Sequence, residues 1–287
     1  MKVTQKAHTI GKKILWKSVR HLKKSTTIKT DQGIFTIPLR ANDPISKSLF
    51  VHNNYELDFF NAVIDLLEKL GKFTKGTGTI VDIGANNGVI SIGALTTGAA
   101  SKAIAIEPDA TNFSWLTHNV VQNKLENSVE TLNYAVSDCE SVLKLEKCRT
   151  NLGDHRIRKR TDVEELYYES KREVVSVKSN TLDNLLVNEN DDLKLIWVDV
   201  QGHEGYVFKG AKNTLSKRMS VVSEVWPYGI RRSGISKKCF FEIVRSQWSS
   251  YWVMKEKGFV NYPIENFYQF MEELGDEGNH DNVVFTN

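Results

Sequence analysis

Several features that mark special environments are scarce in this chain. Only three of its 287 residues are cysteine, Cys139, Cys148 and Cys239, and no two stand at CxxC spacing. Neither a disulfide framework nor a cysteine-built zinc site is therefore expected, and a reducing, cytoplasmic setting follows. Apolar runs are only a few residues long, as in Ala103-Ile104-Ala105-Ile106, against the roughly 20 that a bilayer span needs. There is no apolar core of a secretory signal, no internal repeat and no low-complexity tract. Acidic residues are missing from positions 1–30, which hold nine Lys or Arg. The net charge of +3 thus leaves 3 − 9 = −6 on the remainder. A mildly acidic body behind a basic leader argues against a nucleic-acid groove across the whole surface.

What is present, 40% apolar and 25% charged residues, suits a soluble chain with one large core or two small ones. In the leader, Ile14, Leu15, Val19 and Leu22 share one side of a helix and Lys13, Lys17, Arg20 and Lys24 another. That pattern fits a helix on anionic lipid, giving peripheral membrane contact through residues 1–25, or a solvated basic tail. Thr27–Leu39 alternates like two strands about Asp31-Gln32-Gly33. Tyr55–Leu70 repeats its apolar residues at three and four and stops at Gly71. These segments define a basic extension (1–30), a cap region (31–75) and a catalytic domain (76–287).

From Thr79 onward strands and helices alternate. Strands are expected over 79–83, 103–106, 129–135, 141–145, 193–198, 219–225 and 283–286, with helices over 87–97, 110–122, 203–209 and 237–247. Short apolar strands alternating with helices indicate an α/β fold, doubly wound around a mostly parallel sheet. One stretch breaks the pattern. In Glu146–Glu173, 15 of 28 residues are charged, with Arg156, Arg158, Lys159 and Arg160 close to Asp154 and His155. Such an insertion can bury little by itself, and it fits either a solvated excursion or a substrate-selecting lid.

The most informative segment is Thr79-Ile80-Val81-Asp82-Ile83-Gly84-Ala85-Asn86-Asn87-Gly88. It reads as an apolar strand ending in an acid, a glycine turn, then a helix. The dinucleotide pattern Gly-x-Gly-x-x-Gly fails at Asn86 and Val89, and no Gly-Lys-Ser/Thr follows for a Walker loop. What matches is Asp-x-Gly-x-x-x-Gly through Asp82, Gly84 and Gly88. Such a loop suits a cofactor with a zwitterionic amino-acid end and no phosphate, as in S-adenosylmethionine. Asp82 would face the ammonium, and loop N–H groups, Asn86 included, the carboxylate. Glu107, ending the next strand, is placed for ribose hydroxyls, and Asp138, after the third, for the adenine amino group. For any one of these acids, a helix cap or a surface charge is the plainer role.

With these motifs the chain resembles the FkbM-type family of S-adenosylmethionine-dependent methyltransferases, from about Thr27 to Phe285. The resemblance rests on Gly33-Ile34-Phe35-Thr36-Ile37-Pro38, Tyr55-Glu56, the glycine loop, Ile106-Glu107-Pro108 and Asn180-Thr181-Leu182-Asp183. It continues through Val198-Asp199-Val200-Gln201-Gly202-His203-Glu204, Ser223-Glu224-Val225 and His280-Asp281-Asn282-Val283-Val284-Phe285. It implies a class I, Rossmann-like, seven-stranded sheet with an antiparallel last strand, and O-methylation of a hydroxyl on a sugar, glycan or specialised metabolite. Two positions depart from the family's usual Lys-Ile-Asp-Val-Glu-Gly: Trp197 stands for Lys and Gln201 for Glu.

Transfer to an alcohol needs alignment and a base. His203 is expected as that base, with Asp199 and Glu204 orienting the substrate. Glu56, Glu224 and His280 are expected around the acceptor. Asp199, Glu204 and His280 are also the set on which a divalent ion would have to rest, although no metal is assigned. Trp226, Tyr228, Trp248, Tyr251 and Trp252 would be either core or an aromatic wall for a flat acceptor. Two alternatives stand beside the small-molecule enzyme. One is a nucleic-acid (RNA cap or ribose) methyltransferase gripping phosphates with the leader and Arg156–Arg160. The other is a binding module that kept the pocket without the chemistry.

Overall fold

A computed structural model describes residues 2–39, 43–159, 164–187, 192–216 and 218–287, with side chains described from residue 9 onward. Arg160, counted above in the basic run, lies outside them.

The N-terminal quarter packs against the sheet as a cap. Helix α1 (Lys2–Leu22) leads into the hairpin β1 (Ser25–Thr30) and β2 (Gly33–Pro38), then α2 (Pro44–His52) and α3 (Leu57–Lys69). Proline at the first turn and Asp43 accepting from Ser46 N (2.8 Å) start α2. The leader is not a solvated tail. Trp16 is buried and packs on Phe50 of α2 at 5.4 Å. Burying an indole contributes on the order of 4 kcal/mol at about 25 cal/mol per Å², enough to hold the helix down against fraying. The hairpin docks on a later helix (Ala110–Gln122) through Asn119, whose Oδ1 accepts Thr36 N at 2.8 Å. Cap residues Phe35, Leu49, Phe60 and Leu67 share one apolar cluster with Ile80, Leu195 and Trp197 of the sheet.

The sheet is built from β3 (Thr79–Ile83), α4 (Val89–Thr96), β4 (Lys102–Ile106), α5 (Ala110–Gln122), β5 (Val129–Leu132) and their successors. After it come two short strands and two longer ones: β6 (Ala135–Val136), β7 (Ser141–Lys147), β8 (Arg156–Ile157) and β9 (Glu173–Asn180). Next are α6 (Leu182–Leu185), β10 (Leu193–Val198), α7 (Glu204–Lys209), α8 (Lys212–Leu215), β11 (Ser220–Val225) and α9 (Pro227–Arg232). The chain ends with α10 (Lys237–Arg245), β12 (Ser250–Lys255), β13 (Gly258–Pro263), α11 (Phe267–Leu274) and β14 (Asp281–Thr286).

The main sheet runs β13-β12-β14-β11-β10-β3-β4-β5. Strands β5, β4, β3, β10 and β11 are parallel, and β14 is antiparallel to both its neighbours. It therefore has eight strands where seven were expected. The additional one, β13, forms a hairpin with β12 at the edge. Its residues are half-exposed, so they lack the apolar run that identifies an interior strand.

The segment expected as one strand over 129–135 divides. Residues up to Leu132 stay in the main sheet, whereas Ala135–Val136 join a second sheet ordered β6-β9-β7-β8. That sheet carries the charged insertion, and its charges are buried in pairs. Arg156 Nε meets Asp154 Oδ1 at 2.5 Å and its Nη1 meets Glu169 Oε1 at 2.7 Å. Arg172 Nη2 meets Asp154 Oδ2 at 2.6 Å. Tyr228 donates to Glu169 Oε1 (2.6 Å), and the Arg156 guanidinium lies 4.4 Å from the Trp226 ring. The expectation that so charged a stretch buries little is thus overturned: mutual pairing compensates the desolvation. Trp226, Tyr228, Trp248 and Tyr251 are core residues rather than an open aromatic wall, and Trp252 packs half-buried against the core.

Candidate active site

Strands β3, β4 and β10 are adjacent and parallel, so their carboxyl ends open on one edge, where ligands bind in open α/β sheets. A crevice of about 850 Å³ unfilled by protein atoms, its open mouth included, lies there. Asp82, Glu107 and Asp199 reach it from these three strands.

The glycine turn forms its floor. Gly84 N and Ala85 N both donate to Ile106 O (2.9 and 3.1 Å). Gly84 has φ +89°, and a Cβ there would run into the Asp199 carbonyl. Gly88 has another task. It caps α4 at φ +86°, and a Cβ would meet Leu116 at 2.7 Å. It packs helix against helix and does not line the crevice. Asn86, left-handed at φ 52°, donates its backbone N–H to Glu107 Oε2 at 2.9 Å.

Asp82 accepts from Ser91 N (3.1 Å) and Ser91 Oγ (2.5 Å), and burial pushes it up to about 6. Glu107 accepts from Asn86 N and from Asp109 N (2.8 Å). Each of its oxygens keeps a further lone-pair direction. Burial outweighs those bonds and holds its carboxyl up to about 8.

Gln201, which lines the crevice beside Asp199, donates from Nε2 to Asp199 Oδ1 at 2.7 Å and to Glu224 Oε2 at 3.1 Å, whereas Glu224 and His280, expected around the acceptor, are not among the lining residues. His280 Nε2 stands 3.7 Å from Glu224 Oε1. Glu56, at φ 53° on the start of α3, lines the same mouth. Burial and then Asp199 push it up to about 7. Burial also holds Glu224 well above its ordinary range, reinforced by Asp199, Glu204 and Glu56. Its neighbour Tyr55 is held by Gln32, which accepts Tyr55 N (2.7 Å) and donates to Tyr55 O (2.9 Å).

Three further expected site residues stand differently. His203 lines the crevice but is buried, with Nε2 3.0 Å from Ser137 Oγ and its ring stacked on Tyr206 at 4.5 Å. Burial, then Lys159, lowers it to about 3, which suits a neutral hydrogen-bonding ring better than a base working near neutral pH. Glu204 does not line the crevice. It turns into its own loop, accepting Val200 N (3.2 Å) and Gly202 N (3.1 Å), and burial pushes it up to about 7. Asp138 is exposed and outside the crevice, while its neighbour Ser137 is the partner of His203. With Glu204 turned away, Asp199, Glu204 and His280 do not converge, and among the described residues no group of three His, Cys, Asp or Glu is placed to hold a metal ion.

Other lining residues were not anticipated. Leu152, Gly153, His155 and Ile157 come from the insertion and roof the crevice. Asn112 Nδ2 holds Leu152 O at 2.9 Å, and Asp43 Oδ1 accepts Leu152 N at 3.1 Å. The sequence signal available was the insertion's place directly after the strand expected over 141–145. Among the described lining residues are four carboxylates, Glu56, Asp82, Glu107 and Asp199, and neither Lys nor Arg. The lining offers a pyrophosphate no Lys or Arg to pair with. A sulfonium nucleoside with an ammonium group, carrying positive charge beside two ribose hydroxyl donors, fits the donor set.

The family model described as methyltransferase FkbM domain matches residues 82–277. No curated protein matches the chain. Among solved structures it is similar to methyltransferase FkbM from Methylobacillus flagellatus KT, at 14% identity and a TM-score of 0.45 over 86% of this chain. The match covers 56% of that protein's length. It is also similar to TrmK of M. capricolum in complex with S-adenosyl-homocysteine (11%, TM-score 0.39, 77% of this chain and 68% of that one). A third is TYW2 of P. horikoshii in complex with MeSAdo (12%, TM-score 0.40, 92% and 72%).

Proposed function

Because the chain belongs to the FkbM methyltransferase domain family, we propose that its crevice takes S-adenosylmethionine and that the methyl acceptor is a hydroxyl on a sugar, glycan or small metabolite. The carrying observation is the lining: four carboxylates with no cationic side chain among the described residues. Asp82 would meet the ammonium and Glu107 the ribose, while the N–H groups of Gly84, Ala85 and Asn86, expected for the carboxylate, are already bonded within the protein. When bound, the cofactor supplies an electrophilic methyl group. The protein's own work is to align the acceptor, exclude water beneath the insertion and take up the hydroxyl proton.

For that proton we favour the mouth carboxylates over His203. Glu56 and Asp199 both line the crevice, and Glu56, held near 7, has the proton affinity that a base at neutral pH needs. The lining also gives a polyanion's phosphates no Lys or Arg among the described residues, so the nucleic-acid alternative ranks second.

Calorimetry on the full chain tests the cofactor: S-adenosylhomocysteine is expected to bind, with NAD and ATP silent. The reverse result overturns the assignment. For the base, Glu56→Gln is expected to lose about 10²-fold or more in turnover with cofactor affinity kept, while His203→Ala keeps turnover. The opposite pattern returns the role to His203.

A further inference from the structure

The basic leader takes no part in the crevice, yet its orientation is fixed. Trp16 is 1% exposed against Phe50, Val19 packs on the same cluster, and Lys12 Nζ donates to Asn53 Oδ1 at 2.6 Å. These contacts set the rotation of α1 about its axis. At 100° per residue, Ile10 and Ile14 then face away from the cap, and Leu22 and Leu15 continue the strip round one flank of α1; the four are 52%, 62%, 81% and 51% exposed. Lys13 and Lys17, both exposed, follow one border of that strip, and Lys24 is exposed just beyond the helix end. Four large aliphatic side chains held outward on one helix are unusual for a surface that meets only water.

We propose that this face of α1 rests on an anionic lipid surface, with Ile10, Ile14, Leu15 and Leu22 in the headgroup–acyl boundary and the lysines on lipid phosphates. Charge complementarity favours this occupant. Residues 1–30 contain nine Lys or Arg and no acid, whereas the rest of the chain sums to 3 − 9 = −6. A negative membrane therefore attracts α1 and repels the body, which turns this one face toward the lipid. An apolar strip bordered by lysines is the pattern of helices lying in the interface plane. No helix of the described residues is long and apolar enough to cross a membrane, so α1 lies on the surface. The site stays close to it: α2, on which Trp16 rests, also supplies Ile45 to the crevice.

Flotation of the full chain with vesicles tests the proposal. With an equal mixture of phosphatidylglycerol and phosphatidylcholine the protein is expected to float, and with phosphatidylcholine alone to stay in solution. Ile14→Glu/Leu15→Glu and, separately, Lys13→Glu/Lys17→Glu are expected to reduce partition about tenfold or more with the melting temperature unchanged, since all four side chains are exposed. No flotation, or equal flotation of wild type and both variants, overturns the proposal. So does a lipid-free dimer that Ile14→Glu/Leu15→Glu dissociates, because the strip would then be covered by a second copy. Salt-sensitive RNA binding that the lysine variant abolishes and the aliphatic variant retains, without flotation, overturns it in favour of nucleic acid.

Discussion

Glu107 shows how much one side chain is asked to do. It closes the glycine turn through Asn86 N, fixes the next loop through Asp109 N, and still offers lone pairs to the crevice. Burial holds it up to about 8, so near neutral pH much of it carries a proton in the free protein. Ribose hydroxyls donating to it favour the ionised form. Binding of S-adenosylhomocysteine at pH 7 is therefore expected to release a proton. Calorimetry in buffers of different ionisation enthalpy checks this: the apparent heat should depend on the buffer, and Glu107→Gln should remove most of that dependence. A buffer-independent heat for the wild type would mean that Glu107 does not meet the ligand. Trp197 and Gln201 belong to the same scale. Exchanging a Lys and a Glu for Trp and Gln leaves the crevice's net charge as it was. Trp197 packs 5.7 and 5.8 Å from Phe59 and Phe60 of the cap, and Gln201 gives two acids a shared donor.

Among the elements, the insertion is the one whose role depends on buried charge. Arg156 is the hub, meeting Asp154, Glu169 and the Trp226 ring while 6% exposed. Arg156→Ala would take one cation from two buried carboxylates, leaving Asp154 to Arg172 and Glu169 to Tyr228, at a cost of about 1–3 kcal/mol. Hydrogen exchange is expected to quicken across β8 and the start of β9, and S-adenosylhomocysteine affinity to fall as the Leu152–Ile157 roof loosens. Unchanged exchange there would show that the roof stands without the network. None of this was legible in the sequence, where Arg156 and Asp154 are merely two charges in a run of 15 among 28. Their pairing depends on Glu169 and Arg172 from the far end of the insertion and on Tyr228 from α9. What was legible had local causes. Residues 79–83, 110–122 and 193–198 have the expected bounds, because apolar runs and helical spacing are written along the chain. The acids at strand ends were likewise readable from strand order. The inward turn of Glu204 was not, since it is set by two backbone N–H groups of its own loop.

For the whole molecule, the buried ionisable groups fix how stability follows pH. Burial raises Asp82 to about 6, Glu56 and Glu204 to about 7 and Glu107 to about 8. Each binds its proton more tightly folded than unfolded, so each loses stabilisation as pH climbs from its unfolded value through its folded one. Burial acts in the opposite sense on His203, lowered to about 3, and on His155, also lowered. These rings favour the fold increasingly as pH rises toward the unfolded histidine value of about 6.5 and add nothing further above it. Below about 6.5 the two sets oppose one another. Between there and about 8, where Glu107 titrates, only the carboxylates remain, and the slope is downward by up to about 1.4 kcal/mol per pH unit for each group still holding its proton. The melting temperature of the ligand-free protein is thus expected to fall from pH 6.5 to pH 8. Glu107→Gln, neutral throughout, should flatten the upper end of that fall. Differential scanning fluorimetry across this range checks both, and a melting temperature that rises with pH there would show that these carboxylates are ionised in the free protein.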